Sequence, residues 1–365
     1  MLPPERTKPL KIFAACLDRA LGETFIRLLF ASTVKMHSPG SSLSIYIRED
    51  RDYKSDMLSL CPYWDRQIKT AADGQPLPLD FFYAPGDRHD LGATAHAFRD
   101  AGHADPDIML IPSNMLEIDL LRYPQWPQFR IPKEREIPLY EELEILGLAV
   151  NQPHAVIHYR LPNFPLRGAT PYRDTSSDEP FLALRDYLID HHGMNVVRIG
   201  HKEMREWPAR ERFVDLSRSP FMTQACAISL ARFTVMTMSG PASIPSAFGV
   251  PGMVSNAVGY AASGADPGFL LPKMLLDAGG EPVEIRGLIE NGMWTSELCW
   301  QASLRGFKFV DNTLDQLKRG VDHLADMTSG PRGWRTVETQ AEPAPLRHDP
   351  FRPFCREINI RSDFL

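Results

Sequence analysis

The sequence has few cysteines and no long apolar run, and these two absences exclude several classes of protein. Its five cysteines are odd in number and far apart, so neither a disulfide framework nor a structural zinc site is predicted. No apolar run approaches the roughly 20 residues that cross a bilayer. The first residues lack the apolar core of a secretory signal, and we therefore expect a cytoplasmic protein.

The fingerprints of several enzyme classes are also missing. No Gly-x-Gly-x-x-Gly follows the first predicted strand, and there is no Gly-x-x-x-x-Gly-Lys-Ser/Thr, so dinucleotide and P-loop chemistry are disfavoured. A hydrolase is poorly supported because no Gly-x-Ser-x-Gly elbow occurs. Asp105 and Asp107 have the spacing of an Asp-x-Asp metal motif, but they lead directly into a predicted strand. We interpret them as a turn and predict no metal site.

The length and the strand-helix-strand patterns of the chain favour a globular protein of two domains. A length of 365 residues accommodates two cores, and strand-helix-strand patterns in both halves predict an α/β fold. We place the first domain at residues 1–150, the second at 151–330, and an irregular, proline-rich tail that packs back at 331–365. The net charge of -6 argues against binding to nucleic acid.

The most informative stretch of the sequence is residues 225–256. Residues 233–238 form an apolar run without alternation, which is typical of a parallel strand covered on both faces. Small residues follow at 239–243, and residues 244–248 then predict a short helix that Gly249 ends. Free N–H groups at a helix start bind anions, so we expect a ligand phosphate at the carboxyl end of this strand.

Basic residues occur where other predicted strands end. Alternation places His158 and Arg160 on one face of the strand 155–160, where they suit a diphosphate or the charge of a leaving group. Arg173 precedes a polar run and a helix, and it is either functional or paired with Asp174 or Glu179. Arg198 either crosses a sheet face to a carboxylate or reaches a nucleotide.

The order strand, Ser-Gly-Pro, small helix, Phe-Gly-Val-Pro, Asn resembles the nucleotide-sugar-binding half of GT-B glycosyltransferases. The Val-Val-Arg-x-Gly at 196–200 and the stretches 172–180 and 269–273 are also similar to bacterial members of that group. The resemblance covers about residues 150–310 and is only architectural before them. It implies two Rossmann-like domains that face each other across a cleft, with the donor on the second domain.

The resemblance also implies the roles of particular residues. The candidate catalytic residues are His158, Arg160 and Arg173. The candidate donor-binding residues are Arg198, Gly200, His201, Ser239, Gly240, Pro241, Ser243, Ile244, Asn256, Lys273 and Glu297. The candidates on the acceptor side are Gly22, Glu23, Ser113 and Asn114. Plain structural roles remain open for several of them, including solvent exposure of Lys273 and a helix-dipole role for Glu297.

The activity implied is transfer of a hexosyl or deoxyhexosyl group from a GDP- or UDP-linked sugar to a glycan, lipid-linked or protein acceptor. Such a reaction fits polysaccharide biosynthesis, needs neither metal nor cofactor, and is compatible with peripheral membrane contact. The alternatives are an epimerase-like enzyme that modifies nucleotide sugars and a non-catalytic scaffold that binds nucleotides or carbohydrates.

Overall fold

The chain divides into two compact units, each of which has its own sheet. The computed structural model describes residues 9–16, 21–47, 51–68, 106–110, 115, 123, 125–160, 162, 172–258, 268–284, 288, 296–329, 346–347 and 359–360. The first unit comprises Met1–Arg130 and Ala344–Pro350, and the second comprises Ile131–Pro343 and Phe351–Leu365.

A four-stranded parallel sheet forms the centre of the first unit, with the strand order β3-β2-β1-β4. Its strands are β1 (Lys11–Cys16), β2 (Ser42–Ile47), β3 (Arg66–Ile68) and β4 (Ile108–Leu110). Helix α1 (Leu21–Met36) connects β1 to β2, and α2 (Tyr53–Leu60) precedes β3. After Lys11 every residue of β1 is buried, as expected of a parallel strand covered on both faces.

Two of the candidates for the acceptor side, Gly22 and Glu23, lie in the first turn of helix α1. Gly22 is buried there, so tertiary packing overrides its low intrinsic helix propensity. The acidic Glu23 suits the positive end of the helix dipole.

The second unit is built on a seven-stranded sheet whose neighbouring strands all pair in parallel. The order is β16-β11-β10-β9-β6-β7-β8, with the strands β6 (His154–His158), β7 (Asn195–Arg198), β8 (Phe213–Asp215), β9 (Phe233–Thr237), β10 (Gly252–Ala257), β11 (Gly268–Pro272) and β16 (Asn359–Ile360). The helices are α3 (Lys133–Ile145), α4 (Glu179–Asp190), α5 (Phe221–Ser229), α6 (Ser243–Phe248), α7 (Ser296–Leu304) and α8 (Leu314–Met327). A small antiparallel sheet, which the sequence did not predict, contains β12 (Met274–Leu276), β13 (Pro282–Val283) and β14 (Lys308–Val310).

Helix α3 shows why residues 131–150 belong to the second unit rather than to the first, where we expected them from the sequence. Charged residues and prolines are frequent before residue 140, yet the helix starts at Lys133 and contains Pro138. Its buried residues are Leu139 and Leu143, one turn apart. Glu142 on the same helix accepts a hydrogen bond from Thr223 of α5 at 2.9 Å.

Close contact between helix α8 and the sheet builds part of the main core. Gly320 faces Met253 of β10, and a Cβ at this glycine would lie 2.3 Å from the Met253 sulfur. Val321 and Leu324 continue the buried face of α8 over the sheet. Helix α8 is therefore amphipathic, and its buried residues follow the i, i+3, i+4 spacing of one helix face.

The tail contributes one short strand to each unit. Leu346–Arg347, β15, pairs antiparallel with β5 (Gln125–Trp126) of the first unit. The strand β16 pairs in parallel with β11 at the edge of the large sheet. Among the helices that the structure describes, none has the length and apolar character that crossing a membrane requires.

Candidate active site

The strand order of the second unit defines a topological switch point. From β6 the chain adds β7 and β8 on one side, and it then returns to add β9, β10 and β11 on the other. Ligands of open parallel sheets bind at the carboxyl ends of the two strands that flank such a point, here β6 and β9. His158 ends β6, and Ser239 lies just beyond the end of β9. Ser239 Oγ and His158 Nδ1 are 3.0 Å apart, so a hydrogen bond bridges the switch point.

His158 is buried and carries no positive charge at neutral pH. Burial, followed by the charges of Arg198 and Arg160, lowers the pKa of His158 from 6.5 to about 3. From the sequence we had grouped His158 with the charge-stabilising residues. A neutral imidazole can orient Ser239 or share a proton with a ligand, but it cannot balance a phosphate charge.

Arg160 is held by a buried carboxylate. Its Nε lies 2.6 Å from Oδ1 of Asp174, and both side chains are largely buried. The Arg160 backbone N–H donates to Oγ1 of Thr237 at the end of β9, and the Arg160 carbonyl accepts from the N–H of Thr175. Arg160 therefore connects β6 and β9 to the loop formed by residues 172–178, which we call the polar loop.

Lys273 holds the same polar loop from the other side. Its ammonium donates to the carbonyl oxygen of Asp174 at 2.7 Å and lies 2.8 Å from Oδ1 of Asp311. The other oxygen of Asp311 accepts from both N–H and Oγ of Ser176 at 2.6 Å. Burial opposes ionisation of Asp311, but Lys273 and Ser176 outweigh it and hold the pKa of this carboxyl below its usual range. Lys273 is thus buried and ion-paired, not solvent-exposed.

Asn256 has a structural role at the end of β10. Its N–H donates to Oδ1 of Asn312 and its own Oδ1 accepts from the Asn312 N–H, both at 2.6 Å. The Asn256 backbone has φ +50°, a region that asparagine tolerates better than most residues. Its side-chain nitrogen also reaches Thr175 of the polar loop at 3.3 Å.

The polar loop brings Arg173 to the end of β9. Arg173 Nη2 lies 3.5 Å from the carbonyl oxygen of Met238, the residue before Ser239. Since Arg160 and Lys273 both hold the neighbouring Asp174, the position of Arg173 depends on their two contacts. The structure therefore places Arg173 beside the turn that the sequence singled out as a phosphate site.

Residues 239–243, which we call the Ser-Gly-Pro turn, form a 3-10 turn at Gly240–Ala242 and then begin α6. The N–H of Ala242 donates to Ser239 O, and the N–H of Ser243 donates to Gly240 O. The turn itself thus uses these two donors, and the anion-binding hypothesis applies mainly to Ser239 and Gly240. Pro241 lies in the 3-10 turn, and Ile244 is buried in α6. Gly249 ends α6 with φ +69°, as the sequence predicts.

Arg198 pairs with a carboxylate, which is one of the two alternatives that the sequence left open. Its side chain is fully buried, and Nη1 lies 3.1 Å from Oδ2 of Asp215 on the adjacent strand. Its guanidinium lies over the rings of Trp207 at 4.8 Å and Tyr159 at 5.4 Å. Stacking on two aromatic rings compensates part of the cost of burying this charge.

Gly200 and His201 have local contacts that explain their residue types. The backbone of Gly200 has φ +155°, and a Cβ there would lie 2.2 Å from the sulfur of Met204. Its N–H donates to Gln224 at 2.9 Å. His201 Nδ1 lies 3.3 Å from the backbone nitrogen of Glu203, and this contact closes a tight turn.

The remaining candidates lie elsewhere. Glu297 occupies the second position of α7, and its side chain is outside the described residues. Ser113 and Asn114 also lie outside them. Gly22 and Glu23 belong to the first unit, in the first turn of α1 after β1. The structure thus brings together His158, Arg160, Arg173, Ser239, Asn256 and Lys273 through the polar loop and the switch point.

Comparison with known proteins identifies the fold. No family model matches the chain, and no curated protein matches it. It is similar to the crystal structure of the glycosyl transferase family 9 protein from Veillonella parvula DSM 2008, with a TM-score of 0.54 and 14% identity over 89% of this chain and 100% of that one. It is also similar to E. coli ADP-heptose lps heptosyltransferase II, with a TM-score of 0.51 and 12% identity over 88% and 100% of the two chains. The chain has the GT-B fold. This confirms the α/β class and the GT-B resemblance predicted from the sequence.

Several residues that organise this candidate site were not predicted from the sequence. They are Asp174, Thr237, Asp311 and Asn312. Asp311 and Asn312 follow β14, a strand of only three residues that the sequence did not reveal. One sequence signal could have pointed to Asp311 and Asn312. Thr313 and Gln316 form a capping box at the start of α8, and this motif marks the two preceding residues as the end of a loop.

Proposed function

We propose that the chain is a glycosyltransferase that moves a sugar from a nucleotide-sugar donor to a glycan, lipid-linked or protein acceptor. The observation that carries this proposal is the constellation at the switch point between β6 and β9. There the Ser239–His158 hydrogen bond and Arg173 meet at a turn of small residues. In an open parallel sheet this is the place where a phosphorylated ligand binds.

The charges in the site favour different roles for its basic residues. Asp174 and Asp311 offset the charges of Arg160 and Lys273, so these two cations serve to hold the polar loop. Arg173 is our candidate for the cation that contacts the donor diphosphate, because its guanidinium lies beside Met238 at the start of the Ser-Gly-Pro turn. As the bond to the sugar breaks, negative charge grows on the leaving nucleoside diphosphate, and a guanidinium placed beforehand stabilises it. Ser239 and Gly240 would add hydrogen bonds from the turn.

Thermal unfolding with UDP, GDP, ADP and CMP tests the proposal at the level of binding. A nucleotide present at one hundred times its Kd stabilises the folded chain by about 2.7 kcal/mol. ADP belongs in the panel because one GT-B neighbour is an ADP-heptose heptosyltransferase. We expect one nucleoside diphosphate to raise the Tm and the others to have little effect. No stabilisation by any nucleotide at millimolar concentration would contradict the proposal.

A second experiment uses the nucleotide sugar that contains the nucleotide found to bind. Its products distinguish glycosyl transfer from epimerase-like activity and from binding without catalysis. A glycosyltransferase releases the nucleoside diphosphate, slowly to water and faster when an acceptor is added. An epimerase-like enzyme would convert the nucleotide sugar into an isomer in which the bond between the sugar and the diphosphate is intact. A non-catalytic scaffold would bind the nucleotide and convert nothing. Chromatography of the nucleotide products distinguishes all three outcomes.

We propose further that the transfer needs no metal. Arginine and turn N–H groups would supply the charge stabilisation that a Mg²⁺ ion supplies in other transferases. We expect the rate of donor hydrolysis to be unchanged within twofold after treatment with EDTA. If EDTA abolished turnover and Mg²⁺ or Mn²⁺ restored it, the proposed independence of metal would be contradicted. The proposal that the chain binds a nucleotide would not be affected by that result.

A further inference from the structure

A group of metal-binding side chains lies on two helices of the second unit, away from the candidate active site. His191 and His192 follow the last turn of α4, and Asp322 projects from α8. One ligand atom from each of the three residues lies within 4.8 Å of the others. His191 is exposed, and the other two are partly buried, so an ion can reach all three from solvent.

The direction of the helices shows that this group is remote from the switch point. Helix α4 starts directly after the polar loop, at the carboxyl ends of the strands, and it ends just before β7 begins. The first residue of β7, Asn195, donates its N–H to the carbonyl oxygen of Pro153, which precedes β6. The two histidines therefore lie toward the amino-terminal edge of the sheet, opposite to Ser239.

We propose that His191, His192 and Asp322 form a binding site for a divalent transition metal such as Zn²⁺. Two imidazole nitrogens and one carboxylate are a ligand set that zinc accepts, with its fourth position open to water. In a tetrahedral zinc site, neighbouring ligand atoms are roughly 3.3 Å apart, given bonds of about 2.05 Å. The three ligand atoms, which lie within 4.8 Å of one another, must therefore move closer together when an ion binds.

The surrounding contacts orient these ligands. His192 Nε2 lies 2.8 Å from Asp322 Oδ1, and the hydroxyl of Tyr187 donates to the same oxygen at 2.8 Å. The Tyr187 ring stacks on His191 with centroids 4.8 Å apart and an interplanar angle of 11°. A hydrogen bond from a neighbouring side chain to a ligating carboxylate is a regular feature of metal sites. The ammonium of Lys318 lies 4.9 Å from the centre of the Tyr187 ring and holds that ring from the side of α8.

The alternative is that the group is only an ion pair between two helices. A partly exposed pair such as His192 with Asp322 contributes little to stability by itself. That alternative predicts no dependence on metal, and it predicts no role for His191 beyond its ring contacts. Metal binding and its loss in variants of His191 therefore distinguish the two interpretations.

The test uses the full chain without a histidine tag, treated with a chelator and then dialysed. Calorimetric titration with Zn²⁺ is expected to show one ion bound per chain, and Co²⁺ is expected to give a visible absorption band that Zn²⁺ removes. His191→Ala and Asp322→Asn are each expected to weaken binding at least tenfold. The matched controls are His37→Ala, an exposed histidine of the first unit, and Asp326→Asn, an exposed carboxylate one turn further along α8.

Two results would overturn the proposal. One is the absence of a bound Zn²⁺ equivalent in the unaltered chain, and the other is equal binding by the His191 and Asp322 variants and their controls. Because the side chain of His191 is exposed, His191→Ala is expected to fold, so the test does not depend on Asp322→Asn. Zn²⁺ is also expected to raise the Tm of the unaltered chain and of both controls, and to raise that of His191→Ala less at the same Zn²⁺ concentration.

Discussion

Lys273 Nζ lies 2.8 Å from the carboxylate of Asp311, and both residues belong to the group of contacts that fixes the polar loop. Only 1% of the Lys273 side chain and 16% of the Asp311 side chain are exposed. Removing one partner of such a pair leaves a buried charge without compensation, which costs far more than the pair contributes when it is intact. This asymmetry gives the first prediction.

Lys273→Met is expected to lower the free energy of unfolding by about 3 kcal/mol, because it leaves the Asp311 carboxylate buried without its cation. Urea unfolding monitored by circular dichroism measures the change. The control is Lys308→Met, an exposed lysine of β14, for which we expect a change within about 0.5 kcal/mol. In the double variant with Asp311→Asn the loss should be smaller than the sum of the two single losses. Additive losses would show that the pair is not energetically coupled.

Gly240→Val is expected to weaken nucleotide binding well over tenfold and to change stability little. Gly240 lies in a 3-10 turn, whose backbone angles are open to other residues, but a valine side chain would block approach of a phosphate to the backbone. Losing even two charge-assisted hydrogen bonds of roughly 1.5–3 kcal/mol each accounts for this weakening. Calorimetric titration and thermal unfolding on one preparation give both quantities.

Gly200→Ala provides the matched comparison, and the opposite result is expected. Its backbone angle of φ +155° disfavours alanine, and the new Cβ would have to displace the Met204 sulfur. Stability is therefore expected to fall by about 1 kcal/mol or more, with nucleotide affinity unchanged. If the Gly240→Val protein folded and bound the nucleotide with normal affinity, the Ser-Gly-Pro turn would not be part of the donor site.

Arg173→Gln is expected to lower kcat/KM for the donor about 100-fold, in the range found when one preorganised donor to a developing charge is removed. The matched control is Arg205→Gln. Arg205 also belongs to the second unit and contacts Asp178 at the end of the polar loop, but 60% of its side chain is exposed. Steady-state kinetics on both variants checks the prediction. If Arg173→Gln and Arg205→Gln had equal kcat/KM values, Arg173 would have a role only in the structure of the polar loop.

Stability between pH 6.5 and pH 5 is expected to depend on His158. Burial lowers its folded-state pKa to about 3, whereas an unfolded histidine titrates near 6.5. Above pH 6.5 its contribution is complete. As the pH falls below 6.5 the unfolded state gains a proton that the folded state does not bind, so stability is lost by about 1.4 kcal/mol per pH unit until pH approaches 3.

His158→Gln is therefore expected to reduce the slope of unfolding free energy against pH by about one proton in this window, where most carboxylates remain ionised. His154, at the start of the same strand, also has a pKa lowered by burial, so His154→Gln is expected to reduce the slope in the same direction. Urea titrations at several pH values measure the slopes. A slope unchanged in His158→Gln would show that this histidine gains its proton in the folded state too.

Some elements of the second unit are predictable from the sequence because their local signals are strong. The run at β9, the αL glycine that ends α6 and the amphipathic face of α8 all have local physical causes. Helix α3 was harder to predict. It buries only Leu139 and Leu143, and its many charges and Pro138 hide the helical period.

The site was only partly predictable because contacts between distant segments decide the role of each charged residue. Arg160 and Lys273 were recognised as basic residues at strand ends, but nothing local shows that both would hold Asp174. Asp174 lies 99 positions away from Lys273 along the chain. The role of Gly200 could not be predicted from the sequence either. A glycine that is required because Met204 packs against it gives the same sequence pattern as a glycine that is required beside a ligand.

The two short strands of the tail affect how the chain can fold as it is synthesised. The strands β15 and β16 belong to different units, and both are made after every other element that the structure describes. Until residues 346–360 leave the ribosome, the backbone edge of β11 lacks the strand β16 beside it, and β5 lacks its partner β15. Exposed edges of this kind attract other chains. Ribosome-bound chains that stop before residue 346 should therefore depend more on chaperones than chains that include residues 346–360 do.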